Sequence, residues 1–440
     1  MTILNNLRSC SLAALAVGMT FGSAQAASVT EIEWWHPFGP EGIGAVVQEL
    51  VDQFNLENPE FLIRSVNKGG YGATMNATVA AYRAGEQPGL VLSLARDAPT
   101  LMTSDAIYPV QKLLADNGYD VDWSRFIVPA LAMLSNEDGV ASLPFNSSTP
   151  ILWYNVDAFE QAGVTTVPQT WDEVGDAARK LKSIGYDCAL SSEWPNWVNL
   201  DSYAMIQNIE VATNNNGMDG WDTEFTFNEQ PQYIAHIQRL KDWLDEGIYT
   251  YAGRTSSSNV FISGECAMSF LSSAAYLGIE SGADFEFSST FLPIEADNDD
   301  PKNSLIGGGT IFVMSGLSDE ENAGAAKFLN FLMQTPQQIN WHKQTHYVPI
   351  SLDAYEQLKA EGYYEENPTQ EIGLLQLNRG GEPGLLNRGF RFGMASQVYT
   401  TLNEELERVW AGEKEVQEAM DDAAQRSTDI VARFVRTIGQ

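Results

Sequence analysis

The chain has 440 residues, of which 44% are hydrophobic and 11% aromatic, enough for a large core and for two ordinary domains. Its 58 acidic residues outnumber 25 basic ones, for a formal net charge of −33. That balance argues against a nucleic-acid partner, which needs clustered Lys and Arg, and favours a dissolved, monomeric protein.

Residues 1–26 read as a cleavable secretory leader. Arg8 precedes a mostly apolar stretch from Ser9 to Gly22, and Ala24-Gln25-Ala26 supplies the small residues of a cleavage site. The stretch is too short and too rich in small residues to remain in a bilayer, and no lipobox precedes Cys10. The mature chain is therefore expected in the periplasm, without ATP and with little NAD, and no cofactor is expected. Cys188 and Cys266 remain after cleavage, either as one disulfide or as two buried thiols.

The first third alternates strands and helices. Ile32–Phe38 reads as a strand, and Gly42–Leu56 as a helix with Ile43, Val46, Val47, Leu50, Val51 and Phe54 on one face. Strand Phe61–Val66, helix Tyr71–Ala84 and strand Gly89–Leu94 follow, and this order predicts a parallel sheet with helices on both faces. From Asn155 the pattern turns to helices (Asp157–Ala162, Trp171–Ile184, Pro231–Glu246) with short strands such as Ala267–Leu271. Asn214–Gly220 is a turn cluster, and Asp297–Pro301 a solvated loop lacking the Gly and terminal Glu of a calcium loop. Strand character returns before Met314, then helices Glu320–Gln334 and Pro336–Gln344, and a long helical region Val398–Val435 broken near Gly412. The expected fold class is α/β with two lobes, each a sheet flanked by helices, and crossovers near residues 138, 300 and 348. Residues 27–138 with 300–347 form the first lobe, and 139–299 with 348–440 the second, the C-terminal helices packing back on it.

No nucleophile elbow, zincin helix, P-loop or dinucleotide fingerprint is present. His342 and His346 have chelating spacing, but no acidic residue lies between them and Tyr347-Val-Pro349 ends the helix, so no metal is expected. An enzyme is not expected either; a secreted hydrolase of glycerophosphodiesters or glycans would need a metal cluster or a nucleophile with its base. Three segments suit a binding cleft. Trp194-Pro-Asn-Trp197 offers two indole faces and two N–H donors, or else two core tryptophans. Gly307-Gly-Gly309 lets the backbone approach a ligand, or else forms a tight strand entry. Pro144-Phe-Asn-Ser-Ser-Thr-Pro150 is a rigid, donor-rich segment suited to a hinge, or else an ordinary polar loop.

With Trp34-Trp-His36, Asn67-Lys-Gly-Gly-Tyr71, Gly264-Glu-Cys-Ala-Met268, Trp341-His342, Tyr347-Val-Pro-Ile350 and Glu404–Trp410, these segments fall in the order found in periplasmic solute-binding proteins of carbohydrate-type ABC importers. The chain resembles that family over nearly its whole mature length, above all the members that take sn-glycerol-3-phosphate. The resemblance implies two lobes closing by a multi-segment hinge on a small glycerol-phosphate-type ligand, a glycerophosphodiester included, and delivery to inner-membrane permease subunits. It places Tyr71, Ser148, Trp194, Trp197, Ser272, Gly308 and Tyr347 at the ligand. Two positions depart from the family: Ala95 stands where an acidic residue is expected, and Tyr399 where an arginine is expected. Arg391, with Arg96 as the other candidate, is expected to replace the missing cation. A neutral sugar or polyol is the competing ligand class, since such a site has no need of an arginine.

Overall fold

The computed structural model describes residues 29–439, so the expected leader lies outside the described residues. The first sheet starts with β1 (Thr30–His36), β2 (Phe61–Asn67), β3 (Leu90–Leu94) and β4 (Ile107–Tyr108). After β5 (Ser135–Asn136) and β6 (Gly139–Val140) pair as a small hairpin, β7 (Leu143–Pro144) joins the same sheet. The second sheet holds β8 (Pro150–Asn155), β9 (Cys188–Ser192), β10 (Tyr249–Thr250), β11 (Cys266–Ser272) and β12 (Phe287–Thr290). The chain then returns to the first sheet as β13 (Gly309–Met314).

The first sheet runs β2-β1-β3-β13-β4, with β7 also paired to β13. Strands β1, β2 and β3 are parallel, as the β-α-β-α-β order requires, and β13 is antiparallel to β3. Helix Asp319–Leu332 packs on β1 and helix Ile43–Glu57 on β2, with Thr335–Thr345 against both helices, burying Trp34 against Phe145 and Phe328 and Phe54 against Phe328 and Phe331. The helix Asp319–Leu332 begins at a capping box in which Ser318 and Glu321 satisfy each other's backbone N–H groups.

The second sheet runs β10-β9-β11-β8-β12, with β8 antiparallel to both β11 and β12. Its core holds Trp171, Leu190, Ile237, Trp243 and Phe270. Helix Trp171–Ser183 packs on β9, and helices Ala395–Trp410 and Val416–Ile438 pack on each other and on Pro231–Glu246. Cys188 of β9 lies opposite Cys266 of β11, and the two form a disulfide with Cα atoms 4.5 Å apart.

The chain passes between the sheets three times. The first passage is Phe145–Thr149, later than the expected crossover near residue 138, because Leu143–Pro144 still belongs to the first sheet. The second lies between Thr290 and Gly309, around the expected residue 300. The helix Leu352–Ala360 still packs on Thr335–Thr345, whereas Pro368–Leu377 packs on β12 and β8, so the third passage also falls later than residue 348. Gln376 ties the passages together. Its Nε2 donates to Thr149 Oγ1 at 3.1 Å and to Ser304 Oγ at 3.0 Å, and its Oε1 accepts from the Leu292 amide.

Candidate ligand-binding cleft

A cavity of about 180 Å³ opens where these passages leave the first sheet. One wall comes from the first lobe. Gly69 and Gly70 adopt φ of 82° and 110°, turning the chain so that Tyr71 opens the next helix with its ring at the cavity. Asn146 Nδ2 donates to the Tyr71 hydroxyl at 2.6 Å, and Asn146 Oδ1 accepts from the Gly309 amide at 3.1 Å. One amide side chain from the first passage thereby fixes both the ring and the entry to β13.

The glycine triplet forms the floor. Gly308 sits at φ 101°, and a Cβ there would lie 1.9 Å from the Asn146 carbonyl oxygen; one on Gly307 would lie 2.3 Å from the Trp197 ring. The triplet is therefore required by close approach of backbone to backbone and to an indole. Ser148 and Gly307 exchange backbone hydrogen bonds of 3.1 and 2.7 Å. The Gly308 carbonyl accepts from the Ala95 amide, and its own N–H has no partner among the described residues.

The second lobe supplies the indoles. Trp194 holds φ at 50°, uncommon for a bulky side chain. Its amide donates to the Arg254 carbonyl at 2.8 Å, and the residue, which lines the cavity, remains 38% exposed. A π-helical turn, Asn196–Asp201, follows and continues into helix Ser202–Ile206. Such turns recur at functional sites, and here the turn brings Trp197 and Asp201 to the same cavity. Trp197 Nε1 donates to the Leu305 carbonyl at 3.0 Å, fixing the ring over Gly307. Ser272, at the end of β11, caps the following turn by accepting from the Ala274 amide at 3.2 Å. Tyr347 stacks on Trp341 at 5.8 Å, and its carbonyl accepts from His342 Nδ1 at 2.8 Å.

Tyr71, Ser148, Trp194, Trp197, Ser272, Gly308 and Tyr347 thus all line one cavity. Arg391 does not. Phe390 and Phe392 on either side of it are buried, which turns Arg391 into a separate groove beside Arg388, Glu137 and Glu382. Arg96 lines the cavity instead, with its guanidinium carbon 5.0 Å from the centre of the Tyr399 ring. Ala95 and Tyr399, the two departures, also line it.

The sequence did not single out Asn146 or Asp201. Asn146 lay inside the Pro144–Pro150 segment; Asp201 could have been found from its i, i+4 spacing to Trp197. Among the cavity-lining residues Arg96 is the one cation and Asp201 the one carboxylate. Burial pushes the Asp201 carboxyl up to about 7, against the opposing pull of the Tyr399 hydroxyl and Arg96. Burial also raises the Tyr71 and Tyr347 phenols, so both are neutral donors at physiological pH. Among the described residues, no group of three His, Cys, Asp or Glu is placed to hold a metal. His342 is held neutral by burial, its pKa lowered to about 4, and its Nδ1 is committed to the Tyr347 carbonyl.

The chain matches the family of bacterial extracellular solute-binding proteins over residues 49–369. It is 36% identical over 431 residues to the sn-glycerol-3-phosphate-binding periplasmic protein UgpB of Escherichia coli O1:K1, covering 96% of this chain and 97% of that one. Identity to the protein of the same name from Pectobacterium atrosepticum is 37% over 429 residues, covering 96% of each chain. Among solved structures it is similar to UgpB from Mycobacterium tuberculosis in complex with glycerophosphocholine, with a TM-score of 0.77 and 20% identity, over 92% of this chain and 99% of that one. It is also similar to the cyclic alpha-maltosyl-1,6-maltose binding protein from Arthrobacter globiformis, with a TM-score of 0.74 and 18% identity, over 92% of this chain and all (100%) of that one.

Proposed function

The chain belongs to the bacterial extracellular solute-binding proteins, and from that premise we propose that it captures a small glycerol-phosphate-type solute and hands it unchanged to an ABC permease. It works in the periplasm as a monomer and makes or breaks no bond. The observation that carries this reading is the composition of the cleft. Two indoles and three tyrosines supply apolar faces for a short carbon skeleton, while Ser148, Ser272, the Gly308 N–H and Arg96 supply donors for phosphate and hydroxyl oxygens. Donors outnumber acceptors, as an anionic ligand requires in a chain of net charge −33. The lobes close on the ligand by bending at the three passages, and the closed form is the one the permease accepts.

A thermal-shift panel tests this. Sn-glycerol-3-phosphate or a glycerophosphodiester should raise the melting temperature by mass action, about 2.7 kcal/mol of added stability at a hundredfold excess over Kd. A rise with neutral sugars and none with either phosphate would overturn the ligand class.

A further inference from the structure

Among the described residues, the one guanidinium and the one carboxylate that line the cavity do not pair with each other. Arg96 lies on the face of Tyr399, and its Nε is buried without a hydrogen-bond partner. Asp201 is 93% buried and, among the described residues, has no Lys or Arg at ion-pair distance; only the Tyr399 hydroxyl and, from further away, Arg96 favour its charged form. A charge desolvated in this way is costly unless something else satisfies it. Both groups face one cavity, so a ligand seated between them satisfies both: an anionic end on Arg96 and a hydroxyl donating to Asp201.

Resting on the function proposed above, we propose that Arg96 and Asp201 are the specificity-determining pair of the cleft, and that they select a singly charged phosphodiester over a doubly charged phosphate monoester. A planar guanidinium matches the two free oxygens of a diester bidentately. A single guanidinium balances one negative charge. A monoester carries nearly two above pH 7, and the second charge would lie unbalanced in a cavity walled by aromatic rings and shared with a carboxylate. The Tyr399 ring acts as the platform that holds Arg96 over the anion.

Calorimetric titration of the mature protein with sn-glycerol-3-phosphate, glycerophosphoglycerol and a neutral sugar tests this above pH 7. The diester should bind at least about tenfold more tightly than the monoester, a preference that shrinks near pH 5 as the monoester takes up one proton and becomes singly charged. Arg96→Met should weaken the diester by about a hundredfold, and Arg96→Lys, which keeps the charge and the ring contact but loses the planar fork, by about tenfold. Asp201→Asn should narrow the gap between the two phosphates by relieving repulsion of the second charge. A monoester bound as tightly as the diester, or an Arg96→Met protein with unchanged affinity and melting curve, overturns the pair's role and leaves the ligand class standing. Binding of the sugar alone overturns both.

Discussion

Trp194 keeps its backbone in the left-handed region while exposing its ring in the cleft. Strain of that kind persists where the surroundings hold it, and it is common at ligand sites. Trp194→Ala is therefore expected to weaken ligand binding by about 2 kcal/mol, roughly thirtyfold, in calorimetry. Arg391→Met is the matched control and should leave affinity within about twofold, because its side chain occupies the other groove. Asp201 makes a separate prediction. Its carboxyl is raised from 3.8 to about 7 in the folded chain, so the native state binds the proton more tightly than the unfolded state. Ligand-free stability should then fall as pH rises from about 4 through about 7, and Asp201→Asn should remove that part of the fall. Urea midpoints of both proteins at several pH values check it; a difference that stays constant with pH would refute the assignment. At this scale the sequence was legible where residue type and spacing carry the chemistry, as in the paired indoles, the glycine triplet and the hydroxyl-rich segment. It was not legible where direction is set by packing. Arg391 follows a buried Phe and is turned away, while Arg96 follows a strand end and is turned inward.

Between elements, the register of β9 and β11 places Cys188 and Cys266 opposite each other. The bridge spans 78 residues, including helix Pro231–Glu246 and the indole segment. Replacing both cysteines by Ser should cost about 2–4 kcal/mol in equilibrium unfolding; an unchanged denaturation midpoint would show that the bridge does not constrain the chain. The helices with a clear apolar face or firm boundaries were readable in advance: Pro231–Glu246 starts at its proline and stops at Gly247 as expected. The helix Pro368–Leu377 was not, because its buried residues include Gly373 and Gln376 and leave no continuous apolar stripe. β12 was missed for a related reason, since Phe287-Ser-Ser-Thr290 is a short edge strand, half of it only partly buried.

At the scale of the molecule, a polar knot sits in the hinge beside an apolar core that runs through both lobes. Gln376 binds Thr149, Ser304 and Leu292 from inside the hinge and has no exposed surface. Gln376→Ala should remove a buried partner from the Leu292 amide and from the Pro150 carbonyl, leave the Thr149 and Ser304 hydroxyls bonded to each other, and cost about 2–3 kcal/mol of stability. If the lobes close by bending at these passages, as proposed, it should also change ligand affinity, although the side chain lies outside the cavity lining. Loss of stability with identical affinity would confine the knot to a scaffold role.

The place of β13 has a consequence for synthesis. It is the strand that joins β3 to β4 and β7, yet it emerges more than 200 residues after β3. Until then β3 lacks its partner on one side and the sheet of the first lobe has an open edge there. A polypeptide that must be threaded through a membrane pore before it can function gains from that delay, because the piece that locks the structure arrives when most of the thread has already gone through.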